Sequence, residues 1–126
     1  MKSRIYTSDA PAPIGPYSQA VKAGPWIFVS GQIPLDPKTG KIETEPAQAA
    51  RLVMRHIENI LKAAGTDWQG VVKTTIFLQD LRHFDTVNRI YAEYFTDGIP
   101  PARETVQAAR LPKDVPLEIS VIALSP

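Results

Sequence analysis

The sequence predicts an α+β fold in which a mixed sheet of about six strands carries two helices packed on one face. Three observations support this. Segments rich in apolar and β-branched residues (WIFVSGQI, VVKTTIFLQ, LEISVIAL) alternate with two stretches of helical spacing, giving the order strand, strand, strand, helix, strand, helix, strand, strand. Two amphipathic helices can cover one face of such a sheet and no more. At 126 residues, 44% of them hydrophobic, the chain fits one domain spanning 1-126, burying roughly two-thirds of its unfolded surface.

The elements follow in order. Residues 10 to 16, APAPIGP, carry closely spaced prolines that remove donors and extend their predecessors, so the segment is an ordered loop. YSQAVKAG and WIFVSGQI, divided by Gly24-Pro25, read as a hairpin whose second strand is apolar enough to be covered on both faces. LDPKTGK is the exposed turn after it. From Thr44 to Gly65 the spacing turns helical through Ala50, Val53, Ile57, Ile60, Leu61 and Ala64, with Thr44 as N-cap and Gly65 as the stop. VVKTTIFLQ is a strand by its β-branched content. Helical spacing returns over residues 83 to 96 through Phe84, Val87, Tyr91, Tyr94 and Phe95, and Gly98 with Pro100 ends it. The segment from Pro100 to Leu124 supplies a last pair of strands around LPKD. As a hairpin about Pro112, it would set Thr105 near Glu118, with Arg103 toward the open end.

Because WIFVSGQI and LEISVIAL are apolar on both sides, the face without helices must be buried against something outside the chain, and a homo-oligomer is expected.

Composition narrows the function. Fourteen basic against thirteen acidic residues, a net charge of +1, give no electrostatic reason to expect nucleic acid or a membrane surface as partner. The absence of cysteine excludes disulfides, thiolate catalysis and cysteine-bound metals, and fits a cytoplasmic protein. The N-terminal stretch lacks a signal-peptide core, and no window reaches the apolar length of a membrane span, so a soluble, unprocessed chain is expected. His56 and His83 stand 27 residues apart without a partner motif, so no metal site is expected. No glycine-rich run leads through Lys-Ser/Thr into a helix, and no serine sits in G-x-S-x-G.

Two charges stand out among apolar strand residues. Arg103 has the planar fork suited to a carboxylate, and the stiff Pro100-Pro101-Ala102 entry fixes where it points. Glu118 lies among Leu, Ile and Val. The pair reads either as a structural ion pair or as two sides of a site with a ligand between them. Ser30-Gly31 ends a strand where glycine permits close backbone approach, or marks a bulge. Tyr17 is pocket wall or core, and Asn88 lies within a helix.

The segment PAR...V..A.L.....LEI, from Pro101 to Ile119, resembles the C-terminal pattern of the Rid (RidA, YjgF) family of reactive-intermediate deaminases. APIGPYSQA, SGQIPLDPKTG, VVKTTIFLQD and FDTVNRIYAEYF resemble other segments of that family in the same order, over essentially the whole chain. The resemblance implies a chorismate-mutase-like fold, a homotrimer with a central β-barrel, and clefts between subunits. It implies hydrolysis of 2-aminoacrylate, 2-iminopropanoate and 2-iminobutanoate to 2-keto acids and ammonia without a cofactor. By position, Arg103 matches the carboxylate binder and Glu118 the residue that places the water. Tyr17, Ser30, Gly31 and Asn88 match pocket positions, and Thr105 stands where many members have cysteine. Glu104, after the arginine, departs from the small or apolar residue usual there. In a strand it should face away from Arg103. A ligand-sensing or protein-binding module on the same cleft is the alternative reading. The ribonuclease activity attached to relatives under the name L-PSP is disfavoured by the near-neutral charge and the lack of a histidine acid/base pair.

Overall fold

The structure, a computed structural model, describes residues 1–126. Its six strands are β1 (Lys2–Ile5), β2 (Ala20–Ala23), β3 (Trp26–Gln32), β4 (Val71–Leu78), β5 (Ala102–Gln107) and β6 (Leu117–Leu124). They form one mixed sheet in the order β1-β2-β3-β6-β4-β5. Burial explains that order. In β6, Leu117, Ile119, Val121 and Ala123 are all buried, which suits a strand flanked on both edges. The polar segment ARETVQ of β5 has no fully buried residue and occupies an edge.

Both helices lie on one face, as the spacing predicts. Along α1 (Pro46–Ala63), Ala50, Val53, Met54, Ile57, Ile60 and Leu61 enter a core shared with Ile27, Val29, Ile76, Ile119 and Val121. α1 is capped by Glu45, not by Thr44: the Glu45 carboxylate accepts a hydrogen bond from the Gln48 N–H at 2.8 Å, and Pro46 takes the first helical position. Proline has no N–H to orphan and its φ is already helical, so it sets the start one residue later than threonine would. Gly65 follows the last turn at φ +81°, the left-handed conformation that ends a helix. α2 (Phe84–Ala92) is shorter than its pattern, because residues 81–83 wind as a 3-10 turn and the bonds after Ala92 tighten to the same i→i+3 spacing. It contributes Val87, Ile90 and Tyr91 to the core.

β5 and β6 do not form a hairpin. β5 runs parallel to β4, joined to it through α2, and β6 pairs antiparallel with β3 and with the other edge of β4. LPKD does turn the chain, with Lys113 and Asp114 in the left-handed region, but the turn carries β6 past the end of β4. Thr105 and Glu118 are therefore separated by a strand. The second sheet face has no helix on it, and Trp26, Phe28, Val106 and Leu124 each remain more than 40% exposed there.

A candidate active site in two halves

Arg103 and Glu118, the two charges singled out above, lie on opposite faces of the sheet. Arg103 sits in register with Thr74 on the helix-covered face. Phe84, Asn88 and Tyr91 recur at four and three along α2, so one stripe of that helix overlies the arginine. The guanidinium carbon is 4.9 Å from the Tyr91 ring centroid and 5.7 Å from that of Phe84, a cation–π arrangement that orients the fork. Nη1 donates to Asn88 Oδ1 at 2.7 Å, and the guanidinium makes no other hydrogen bond within the chain. Tyr91 is itself anchored, its hydroxyl donating to Thr74 Oγ1 at 3.0 Å.

No carboxylate competes for Arg103. The four ion pairs of the chain, Arg51–Glu93, Lys73–Glu104, Arg82–Asp80 and Arg110–Asp114, all leave it out. Glu104 faces the other way, as the strand period requires, and meets Lys73 Nζ at 3.1 Å and the Thr75 hydroxyl at 3.5 Å. Thr105 returns to the Arg103 face, where its Oγ1 is buried without a partner. Ile76, Leu78, Val87 and Phe84 complete the wall of this narrow crevice. The structure thus brings together Arg103, Asn88 and Thr105.

Glu118 belongs to the other group. It alternates with the buried Ile119 and so projects from the face without helices. It is half-buried and makes no hydrogen bond with its carboxylate, and burial pushes its pKa above the usual carboxylate value. Against it lies Gly31, in the irregularity of β3 between Val29 and Gln32, so the bulge expected at Ser30-Gly31 is present. A Cβ on Gly31 would collide with Oε2, Cδ and Cγ of Glu118, so only glycine lets the carboxyl lie there. Tyr17 and Gly31 line one small hollow. The Tyr17 hydroxyl accepts from the Ile14 N–H at 3.4 Å, and the ring is exposed. Ser30 donates its hydroxyl proton to the Ser18 carbonyl at 2.6 Å, tying the bulge to the loop that carries Tyr17.

The sequence reading missed three contributors. Phe84 and Tyr91 were counted only as helix core, although the aromatic rings at positions facing an arginine strand were a usable signal. Gln19, almost fully buried, accepts from the Thr7 N–H and donates to the carbonyls of Thr7, Ala10 and Pro11, fixing the loop that leads to Tyr17. A glutamine beside Tyr17 in YSQA was the only hint.

The profile of the family described as Endoribonuclease L-PSP matches residues 7–125. A RutC family protein of Pyrococcus horikoshii is 50% identical over 124 residues, covering 98% of each chain. A protein of Escherichia coli strain K12 named 2-iminobutanoate/2-iminopropanoate deaminase is 47% identical, again covering 98% of each. Among solved structures, YyfA of Yersinia pestis, a member of the Rid protein family, superposes with a TM-score of 0.96 at 45% identity, covering 98% of this chain and 99% of that one.

Proposed function

The chain belongs to the Endoribonuclease L-PSP family, also called the Rid or YjgF family, and we propose that it hydrolyses 2-imino acids and their enamine tautomers to 2-keto acids and ammonia. The observation that carries this reading is the split of the site: a forked cation with free donors on one face, and a carboxyl of raised pKa on the other. One copy of the chain cannot direct both at one small molecule. Two copies can, if the face bearing Glu118 is covered by a neighbour whose Arg103 edge abuts it. The exposed Trp26, Phe28, Val106 and Leu124 supply apolar area for that contact. A closed ring of three such copies, each lending half of every cleft, is the assembly we propose.

The chemistry needs little beyond placement. Arg103 Nη2 and Nε grip the substrate carboxylate in parallel, and Asn88 with the two rings holds the fork still. Water adds through oxygen to C2, the C=N π pair moves to nitrogen, and Glu118 takes the proton that water gives up. Glu118 returns that proton to the nitrogen, giving the neutral carbinolamine. The hydroxyl proton then passes to nitrogen, the C–N bond breaks with its electron pair, and C=O forms as ammonia leaves. A carboxyl whose pKa burial has raised serves both directions better than an ordinary one. No cofactor takes part in this scheme.

The test is release of ammonia and 2-keto acid from 2-aminoacrylate generated in situ. Acceleration by the wild type, and its loss in Arg103→Ala, is the expected result. A wild type without acceleration, or an Arg103→Ala variant at full rate, rejects the reading. Binding of a 2-keto acid without turnover would instead mark a sensing module.

A further inference from the structure

The segment from Pro34 to Glu43 closes on itself. The Asp36 N–H donates to the Lys41 carbonyl and the Glu43 N–H to the Pro34 carbonyl, both at 2.9 Å, and Leu35 bridges to Ile42. No residue of this turn belongs to the apolar cluster shared by the sheet and α1, and none takes part in an ion pair. One hydrogen bond ties it to a distant element: Nε2 of His56, on α1, lies 2.8 Å from the Leu35 carbonyl oxygen. A carbonyl only accepts, so Nε2 carries the proton. Leu35 also lines the hollow shared by Tyr17 and Gly31, and Gln32 and Ile33 lead into it from the bulge of β3. The same bond therefore steadies a wall on the Glu118 half of the site.

This tether suits one protonation state. His56 is 2% exposed, and its Nδ1 is buried without a hydrogen-bond partner. In the neutral ring that leaves an unmet lone pair. In the charged ring it leaves an unmet N–H that carries part of a positive charge, which costs far more. The groups around the ring do not repair this. Asp36 on the turn favours the charge, but its Oδ1 is engaged by the N–H groups of Lys38 and Thr39. Arg55 on α1 opposes it, and Lys38 on the turn and Asp9 from the loop before β2 line the same outer hollow. Burial outweighs them and lowers the His56 pKa from 6.5.

We propose that His56 is a proton-operated latch, which in its neutral form pins the 34–43 turn to α1 and, once protonated on both nitrogens, releases the turn and loosens the wall beside Tyr17 and Gly31. As regulation of the site this rests on the function proposed above. As a property of the turn it does not. An isolated two-stranded turn is marginal in water, so the released segment frays. In the open state the ring reaches water and titrates near 6.5, so between that value and the folded one each pH unit favours opening by up to about tenfold. Asp36, whose N–H partners hold its pKa below 3.8, stays ionised over this range and is not the trigger.

The test is hydrogen exchange at the Asp36, Gly40 and Glu43 amides of the full chain from about pH 7 to about pH 4.5, corrected for the pH dependence of chemical exchange. Protection in the wild type should fall by roughly ten- to a hundredfold, in step with the His56 ring followed by NMR. In His56→Gln, whose amide can donate to Leu35 and takes no proton, it should stay flat. Undiminished wild-type protection, the same fall in His56→Gln, or a ring that titrates fully while the turn stays protected overturns the latch. For the site, the ratio of kcat/KM in His56→Gln to that in the wild type should rise as pH falls, since Glu118 titrates in both and cancels. A flat ratio overturns the coupling to the site. A turn that opens as described in a chain that hydrolyses no imine rejects the deaminase reading and upholds the latch.

Discussion

Arg103 and Glu118 project from opposite faces of one sheet, with β4 lying between their strands. This excludes the structural ion pair between them within a chain, and in the proposed assembly each would supply one half of a cleft. The consequences can be measured.

Arg103→Lys keeps the charge and removes the fork. Lysine offers a point charge that neither stacks between Phe84 and Tyr91 as guanidinium does nor bonds both carboxylate oxygens in parallel. We expect kcat/KM for 2-iminopropanoate to fall by roughly ten- to a hundredfold, the loss of one to two charge-assisted bonds, chiefly through KM. Steady-state kinetics with the in-situ substrate checks this, and an unchanged KM would remove Arg103 from carboxylate binding.

Glu118→Gln should lower kcat by roughly 10²- to 10⁴-fold with little change in KM, since the amide cannot take the proton of water. In the wild type the rate should fall on acidification at a higher pH than an ordinary carboxylate would give, because burial raises the Glu118 pKa. The same shift has a stability consequence. The folded chain holds that proton more tightly than the unfolded one, so the stabilisation is full below 4.5 and is lost as pH rises through the folded value. Glu118→Gln mimics the protonated form and should melt above wild type at pH 7. The difference should close below pH 4.5, and calorimetry across that range reads it.

Gly31→Ala forces the Glu118 side chain out of place, because Oε2, Cδ and Cγ would all lie within 2.9 Å of the new methyl group. The expected cost is about 1–3 kcal/mol of stability together with a kcat loss. In a Glu118→Ala background those atoms are gone, and the added methyl should then cost almost nothing. Equal melting losses in both backgrounds would show that Gly31 serves the backbone of β3 and not the carboxyl.

Phe28→Glu places a charge in the apolar part of the face without helices. Light scattering should then report 13.9 kDa single chains where the wild type reports a multiple of that mass. Because in the proposed assembly each chain supplies only half of a cleft, the dispersed variant should also lose deamination while keeping its fold by circular dichroism. Retained activity in a monodisperse single chain would sink the composite cleft.

Much of this was legible in the sequence, and the failures have local causes. The α1 stripe, the Gly65 stop, the bulge at Ser30-Gly31 and the outward turn of Glu104 follow from period and backbone conformation, which adjacent residues determine. The partner of β5 does not follow from such rules. LPKD between two apolar runs is a hairpin signal, yet the fully buried side of LEISVIAL demands a central place that the half-polar ARETVQ cannot share as an edge neighbour. The polarity of ARETVQ was the clue that it belonged at an edge. Thr44 was preferred over Glu45 by residue type, when Pro46 already specified where the first turn begins. The distribution of site residues between two faces was beyond reach, because it depends on that same strand order.

The central place of β6 also governs how the protein comes into being. Within the sheet β3 and β4 are joined only through β6, the sixth strand in chain order, so a growing polypeptide has two separate sheet fragments until about residue 124 has left the ribosome. Until then Ile27, Val29 and Ile76 lack the strand that joins them, and the nascent chain exposes unpaired edges that invite aggregation. The sheet therefore cannot close before β6 has emerged, and termination before Leu117 should yield an insoluble product and not a smaller folded one.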